Sequence, residues 1–513
     1  MMHVSLVLLL ICLVSSLHAL RNHIHFSRLV NHAPSSLALA SGDISSAGTA
    51  IVSINDINKH IEGLATEKDK CKLIVDRMKD KLYGKAKDTI KKGDVVYSIS
   101  MSSCFDIDKA TQKFGNDIKA SQLKTGDLGM LALLLLSEKA MGSSSKFTTY
   151  IQSLPVVPPG ILSWDPALLE ELKKSTTRQV EAQLNAVEYD SITVGKLAAS
   201  LPKLFSPTIF NTKEFRWAMG VVKSRVLYID GKPMLVPGMD YIEFDPLSTA
   251  EPYSTSSGMW GGKDVRIAAE RSYESGEELV MSYGLKSSAE CLEDHGIVPD
   301  INLDESCCEI AVDIDGSERF ADDKVGILER AGYRLPRAQF DLEADYSDVD
   351  IDPALLQFLR LKLIEGKDAF ILESCFMDTV FQTMSQPFSK FNEVLIHKYL
   401  KTTCESLLNK INTMSSNGDD EAIVSRSREN ISNAGEYSPQ RVALARLRLQ
   451  ERASLLATVE NLTVRLEEVE GQGDTREYYQ ERRLRELNLL RPLDESEIIL
   501  PGDRASIDDY DLR

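Results

Sequence analysis

Residues 276–284 read GEELVMSYG and run directly into LKSSAECLEDHGIVPD at 285–300. A glycine-led acidic turn feeds the short apolar run Leu279-Val280-Met281, which closes on Ser282-Tyr283-Gly284. The next segment has helical composition and stops at Gly296, a residue type that ends helices because it takes positive φ without steric cost. Turn, strand and helix in this order deliver one phenol, that of Tyr283, to the end of a strand. A tyrosine there is also the bland device that closes a sheet edge, so the rest of the sequence bears on its meaning.

The chain has 513 residues and a formal charge of −18. The length allows several buried cores. The negative charge argues against nucleic acid as a direct partner, because phosphate binding draws on a basic stripe that releases counterions. A protein segment presenting lysine suits an acidic surface better. The apolar run Val4–Val14 has signal-peptide length, with Leu17-His18-Ala19 as its cleavage site, so residues 1–19 read as a removable signal and no stable membrane span remains. Residues 20–48 carry Arg21 and Arg28, many Ser, Ala and His residues, and no acid before Asp43, as transit segments do. Together they resemble the bipartite leader of proteins bound for complex plastids; secretion or the endomembrane system is the alternative.

Beyond Cys12, the cysteines 71, 104, 291, 307, 308, 375 and 404 are odd in number and lack CxxC spacing. Neither a disulfide framework nor a metal site is signalled. His60, His295 and His397 have no partner at helical spacing. The sequons at Asn430 and Asn461 have meaning only for a secreted chain.

LYGKAKDTIKKGDVVYSIS, at 82–100, reads as a β-hairpin about a Lys-Lys-Gly-Asp turn, with Val95, Tyr97 and Ile99 alternating in its second strand. GDLGMLALLLLSEKAM, 126–141, reads as a buried helix, and Pro166–Val187 as an amphipathic one. Strand-like pieces return at Val221–Ile229, Met234–Pro237, Val265–Ala268 and Leu279–Tyr283. Residues 301–350 read as acidic and irregular, whereas Leu355–Ile364, Phe388–Tyr399 and Val442–Leu466 carry helical patterns. Leu455, Val459, Leu462 and Leu466 follow the spacing of a packed seam. The polar stretch 413–438 reads as a solvated loop, and the end of the chain as a mobile acidic tail. The fold class expected is α+β: a β-fold with a helical insertion, followed by a mainly α-helical C-terminal domain.

The order of FRWAMGVVKSR, LVPGMDYIEF, GEELVMSYG and AECLEDHGI after LALLLLSEKAMGSSSKFTTYIQSLP resembles the Rubisco large-subunit lysine methyltransferase class of SET proteins, which includes an actin-histidine methyltransferase. The resemblance covers roughly residues 50–513 and rests on several pieces in the right order. It implies a SET domain split as 49–115 and 216–300 around a helical insertion at 116–215, with a helical substrate-binding domain at 301–513. It also implies S-adenosylmethionine as cofactor and a protein lysine as acceptor. Methyl transfer from a sulfonium to a neutral amine is an in-line displacement, so such a protein has to bind the donor, align the amine and exclude water.

By the same resemblance Tyr283 is the catalytic residue, while Asp80, Leu82, Arg225, Asp240, Glu243, Phe244 and His295 bind the cofactor, with no metal. Arg225 would fork onto a carboxylate. The sequence departs from the family where Asn-His is replaced by Glu243-Phe244, where a Gly-x-Gly becomes Lys81-Leu82-Tyr83, and where an asparagine becomes Ser288. A glutamate beside the carboxylate of the cofactor would repel it by roughly 4 kcal/mol at an effective dielectric of 20. Tyr83 would crowd the same end unless Gly84 takes over its role. Three readings stay open: a lysine methyltransferase, an inactive SET-like binding module, and a histidine methyltransferase.

Overall fold

The structure is a computed structural model that describes residues 52–471, except 79–80, 116–117, 119–121, 204, 258–261, 285, 334–336, 348–349, 373–379, 388 and 430–437. The leader at 1–48, the acidic tail, Asp80, Cys375 and the sequon at Asn430 lie outside the described residues. The chain falls into two compact units that interleave along the sequence. The first comprises the chain up to Lys113, Met141–Pro155 and Arg225–Leu285; the second comprises Phe114–Ala140, Val156–Ser224 and the chain from Lys286 onward.

The first unit opens with α1 (Ile54–Leu64), whose Asp56 N–H donates to the Ser53 hydroxyl at the N-cap and whose Ile57 and Ile61 are buried. Its strands are short. β1 (Leu73–Met78) pairs antiparallel with β2 (Lys81–Ala86), while β3 (Val95–Ser100) pairs with β9 (Gly262–Ala268), which in turn pairs with β8 (Tyr253–Ser257). A second three-stranded sheet has the order β4 (Phe105–Asp106), β6 (Lys232–Leu235), β5 (Leu227–Ile229). Its β5–β6 turn is Asp230-Gly231, both at positive φ, as a tight two-residue hairpin requires. Finally β7 (Glu243–Phe244) runs parallel to β10 (Val280–Met281).

The hairpin expected at 82–100 is therefore corrected. The Lys-Lys-Gly-Asp turn exists, with Gly93 at φ 87°, but the chain on either side of it pairs elsewhere. Ile90 exchanges backbone hydrogen bonds with Tyr273, and Gly93 N–H donates to Ala269, so residues 269–273 hold the connection and β2 goes to β1. The strand expected at Val221–Ile229 shrinks to Leu227–Ile229. Val221 and Val222 instead end a helix, where their complete burial overrides β-branched preference.

The second unit is mainly helical. α2 (Gly126–Met141) buries a continuous run from Gly129 to Ser137. α3 (Pro166–Ser175) starts on an Asp165 cap with proline in its first turn, and α4 (Val180–Ser200) follows. One helix was expected from Pro166 to Val187; it is broken because Thr176 and Thr177 turn their hydroxyls onto the buried Glu451 carboxylate. α5 (Thr212–Arg225) and α6 (Ser288–His295) come next.

Residues 301–350 are not irregular. β11 (Cys307–Asp313) and β12 (Arg337–Glu343) form an antiparallel pair flanking α7 (Ala321–Arg330), with Cys308, Ile310, Val312, Phe340 and Leu342 inward and the acids outward. α8 (Pro353–Lys362), α9 (Lys390–Met414), α10 (Asn417–Glu429) and α11 (Pro439–Gly471) complete the unit. Leu455 and Leu462 of the expected seam are fully buried, with Val459 packed beside them. α10 occupies half of the stretch read as a polar loop. Asp420, fully buried, anchors it by accepting from Arg448 and Arg452, while Ile423 and Val424 pack on Ala445 and Leu449. Among the described residues no helix is long and apolar enough to cross a membrane.

Candidate active site

Tyr283 lies just beyond β10, and backbone pairing on three chain segments fixes where it emerges. Leu279 N–H donates to Gly84 and Glu243 N–H to Leu279, both at 3.0 Å; Asp245 N–H donates to Met281 at 3.0 Å and Ser282 N–H to Ala250 at 2.9 Å. β2, the segment 277–281 and β7 thus lie side by side. Phe244 leaves β7 to meet the Tyr283 ring edge to face, with centroids 5.3 Å apart and planes at 84°. Tyr283 is buried. Burial, then the nearby Asp240 charge, push its phenol well above the ordinary range, so it stays protonated at any physiological pH.

The charge next to it is an internal pair. The Arg225 Nη1 donates to the Asp240 carbonyl at 2.6 Å and to its Oδ2 at 3.0 Å. Tyr150 donates to the same Oδ2 at 2.7 Å, and Gly238 N–H to Oδ1 at 3.2 Å. The Asp240 carboxylate is completely buried and fully used. Breaking such a pair from one side costs about 3–5 kcal/mol, since the survivor is left charged in a dry place. Asp240 is thereby a positioning residue for Arg225. The Arg225 Nε is buried and has no hydrogen-bond partner, an open donor in the wall of the Tyr283 cluster.

Glu243, where the sequence departed most from the family it resembles, does not stand as a naked carboxylate. The Lys81 ammonium lies 2.5 Å from its Oε1, with the two side chains 50% and 29% exposed. The feared repulsion is answered by a cation 162 residues away in sequence. Tyr83 points to the opposite face of β2 from Gly84, with the Lys85 ammonium 5.0 Å from its ring centre. Gly84 is the place of close approach: a Cβ there would meet a Leu73 methyl at 2.8 Å and the Tyr241 carbonyl at 3.3 Å.

The structure thus brings Arg225, Asp240, Glu243, Phe244 and Tyr283 together in the first unit, with Leu82 on the half-buried start of β2. Asp80 lies outside the described residues. His295 belongs to the second unit, as the last residue of α6. It is buried at a helix end closed by Gly296 at φ 69°, where the Pro159 carbonyl comes so near that a Cβ on Gly296 would lie 2.2 Å from it. Tyr150, Lys81 and Tyr241, whose ring centre lies 5.9 Å from the Arg225 guanidinium carbon, are the members that sequence reasoning did not nominate. Tyr150 sits in the quoted FTTYIQSLP and Tyr241 adjoins Asp240, but nothing local announces their partners.

A donor that is zwitterionic and carries a sulfonium needs a hydrogen-bond donor for its carboxylate, an acceptor for its ammonium and aromatic walls. Arg225 Nε, Glu243 and the Phe244–Tyr283 rings supply those types, so the residues present fit S-adenosylmethionine.

With this geometry in hand, comparison with known proteins is informative. The family described as Rubisco LSMT substrate-binding matches residues 315–455. The chain is 29% identical over 377 residues to a chloroplastic fructose-bisphosphate aldolase-lysine N-methyltransferase of Arabidopsis thaliana, covering 70% of this chain and 72% of the relative. It is 27% identical over 368 residues to the chloroplastic ribulose-1,5 bisphosphate carboxylase/oxygenase large subunit N-methyltransferase of Pisum sativum, covering 70% and 71%. The solved SET domain of LSMT bound to lysine and AdoHcy superposes with a TM-score of 0.68 at 23% identity, over 89% of this chain and 98% of that one. Rubisco LSMT bound to AdoMet gives 0.65 at 24%, over 87% and 98%. Sequence, fold and matched domain point the same way: the chain resembles the SET proteins of the Rubisco large-subunit methyltransferase class and carries, at 315–455, a match to the Rubisco LSMT substrate-binding family.

Proposed function

We propose that the chain is an S-adenosylmethionine-dependent protein-lysine N-methyltransferase. The single observation that carries the reading is the buried cluster in which a neutral Tyr283 phenol stands with an Arg225 guanidinium that still has a donor to give. Two relatives are named as lysine or large-subunit N-methyltransferases, and solved relatives hold lysine or methyllysine with AdoHcy.

The cofactor supplies a methyl group on a positively charged sulfur; the rest is done by side chains. Arg225 Nε would hold the donor carboxylate, and Asp240 fixes the guanidinium for that task through two acceptor oxygens. Glu243 would hold the donor ammonium. Phe244, packed on Tyr283, keeps water from the reacting end. The Tyr283 hydroxyl, held as a neutral phenol, orients the incoming amine and cannot compete with it as an anionic base. The matched domain at 315–455 serves as the platform for a protein substrate presenting a lysine. Residues 1–48 direct the chain to a plastid, a reading supported by the word chloroplastic in the names of the relatives. A fusion of those residues to a fluorescent reporter in the native host tests this, and accumulation in the medium rejects it.

For the activity itself, S-adenosylhomocysteine at a hundredfold excess over its dissociation constant stabilises the native state by about 2.7 kcal/mol, read as a rise in melting temperature. No rise at millimolar ligand defeats the proposal. Mass spectrometry of host extract incubated with the protein and labelled cofactor then distinguishes lysine from histidine as the acceptor.

A further inference from the structure

The Tyr283 cluster holds four charged side chains, in two pairs, with quite different degrees of freedom. Asp240 is saturated by Tyr150, Arg225 and Gly238. Arg225 is held to Asp240 through Nη1, and its Nε has no partner. The Lys81–Glu243 pair is neither saturated nor locked: it is partly solvated, and Lys81 is attached at the very start of β2 by a long flexible stem. Exposed ion pairs of this kind are weakly held and exchange partners at little cost. Glu243, by contrast, is fixed at the backbone, because its N–H donates to Leu279 and its neighbour Phe244 is packed on Tyr283.

We infer that Lys81 is a tethered competitor for the ligand ammonium. In the resting chain its Nζ neutralises Glu243; on binding, the ammonium of the donor takes that place on the carboxylate and Lys81 swings into solvent. The exchange conserves charge at the site, so a glutamate is tolerated where a neutral acceptor would otherwise serve, and the price is a reduced affinity for any ligand bearing an ammonium. This inference rests on the proposed function and concerns the same site.

Isothermal titration calorimetry of the full chain separates the two. The probes are S-adenosylhomocysteine, which carries the ammonium and carboxylate, and 5′-methylthioadenosine, which carries the nucleoside and thioether without them. Lys81→Gln is expected to tighten S-adenosylhomocysteine about three- to fivefold, Lys81→Arg to leave it as in the wild type, and Glu243→Gln to weaken it about tenfold. Adding Lys81→Gln to Glu243→Gln should change nothing further, because the competitor then has nothing to occupy. Methylthioadenosine should bind all of these forms alike. An unchanged or weaker S-adenosylhomocysteine affinity in Lys81→Gln, or an equal shift for both probes, overturns the role of Lys81. Failure of the wild type to bind either probe overturns the methyltransferase reading itself.

Discussion

Arg225 in the first unit and Arg448 and Arg452 in the second are all buried guanidinium groups paired with a buried aspartate, yet they are finished differently. Arg448 forks onto Asp420 through Nε and donates to Glu171 through Nη1; Arg452 reaches Asn412, Asp420 and the Ser415 carbonyl with its three nitrogens. Every nitrogen of those two is used. Arg225 spends Nη1 on Asp240 and leaves Nε without a partner. A saturated buried charge is architecture, holding α10 to α11; a buried charge with an open donor beside an aromatic pair is what the proposed function asks of Arg225. Composition does not separate the two cases, and only the hydrogen-bond ledger does.

The largest expected effect breaks the architectural side. Asp420→Ala leaves Arg452 without its carboxylate and Arg448 with Glu171 alone, and should cost about 3–5 kcal/mol in unfolding free energy, measured by denaturant titration. The affinity of the remaining folded molecules for S-adenosylhomocysteine should not change. If affinity falls together with stability, the saturated pair is not mere architecture and the contrast fails.

On the other side, Tyr283→Phe should lower methyl transfer about 100-fold or more while leaving S-adenosylhomocysteine affinity and melting temperature near the wild type, because one positioned hydroxyl acting at the reacting centre is worth that much. Equal losses of turnover and affinity would make the tyrosine structural.

A third test uses the one buried acid of α11 that has no cation locked to it. Glu451 accepts from Thr176 and from the Thr177 hydroxyl and amide, but burial dominates and pushes it up to about 7 from 4.5. A carboxyl whose folded pKa is raised stabilises fully below its unfolded value and loses that contribution as pH rises to the folded one. The wild type should therefore lose up to about 3 kcal/mol between pH 4.5 and 7 through this group. Glu451→Gln removes that loss: its oxygen can face the Thr177 amide and its NH2 the two rotatable hydroxyls. The variant should match the wild type at pH 4.5 and be more stable at pH 8. Parallel pH curves for the two proteins would show that Glu451 is already ionised at little cost.

What could be read in advance follows the same division between local and distant causes. The helix at Gly126–Met141 has the bounds its composition announces, and the helix after Tyr283 ends at Gly296 as its glycine requires. The hairpin at 82–100 misled because each half is a good strand locally while the partner of β3, residues 264–268, lies far along the chain. α10 was hidden by polar composition, since the pair that holds it, Asp420 with Arg448, is invisible without α11. The Tyr283 strand end was legible from its own turn and flanking residues. The neutralisation of Glu243 by Lys81 and the use of Asp240 by Tyr150 were not, because these contacts span 162 and 90 residues and leave no periodic trace.

The subtlest expected effect isolates the open donor itself. Arg225→Lys keeps a cation opposite Asp240, so the penalty of an abandoned buried carboxylate is avoided, yet an ammonium is a point charge and cannot both hold Asp240 and present a second, fixed N–H. The melting temperature without ligand should fall only slightly. The affinity for S-adenosylhomocysteine should fall about tenfold, the worth of one charge-assisted hydrogen bond to a carboxylate, while that for 5′-methylthioadenosine, which has no carboxylate, should hold. Calorimetry with the two probes reads the difference directly. If both affinities fall together, the lysine has disturbed the Phe244–Tyr283 wall and the unpartnered Nε is not the carboxylate donor; if neither falls, Arg225 belongs with Arg448 and Arg452 as architecture, and the comparison between the two units loses its functional half.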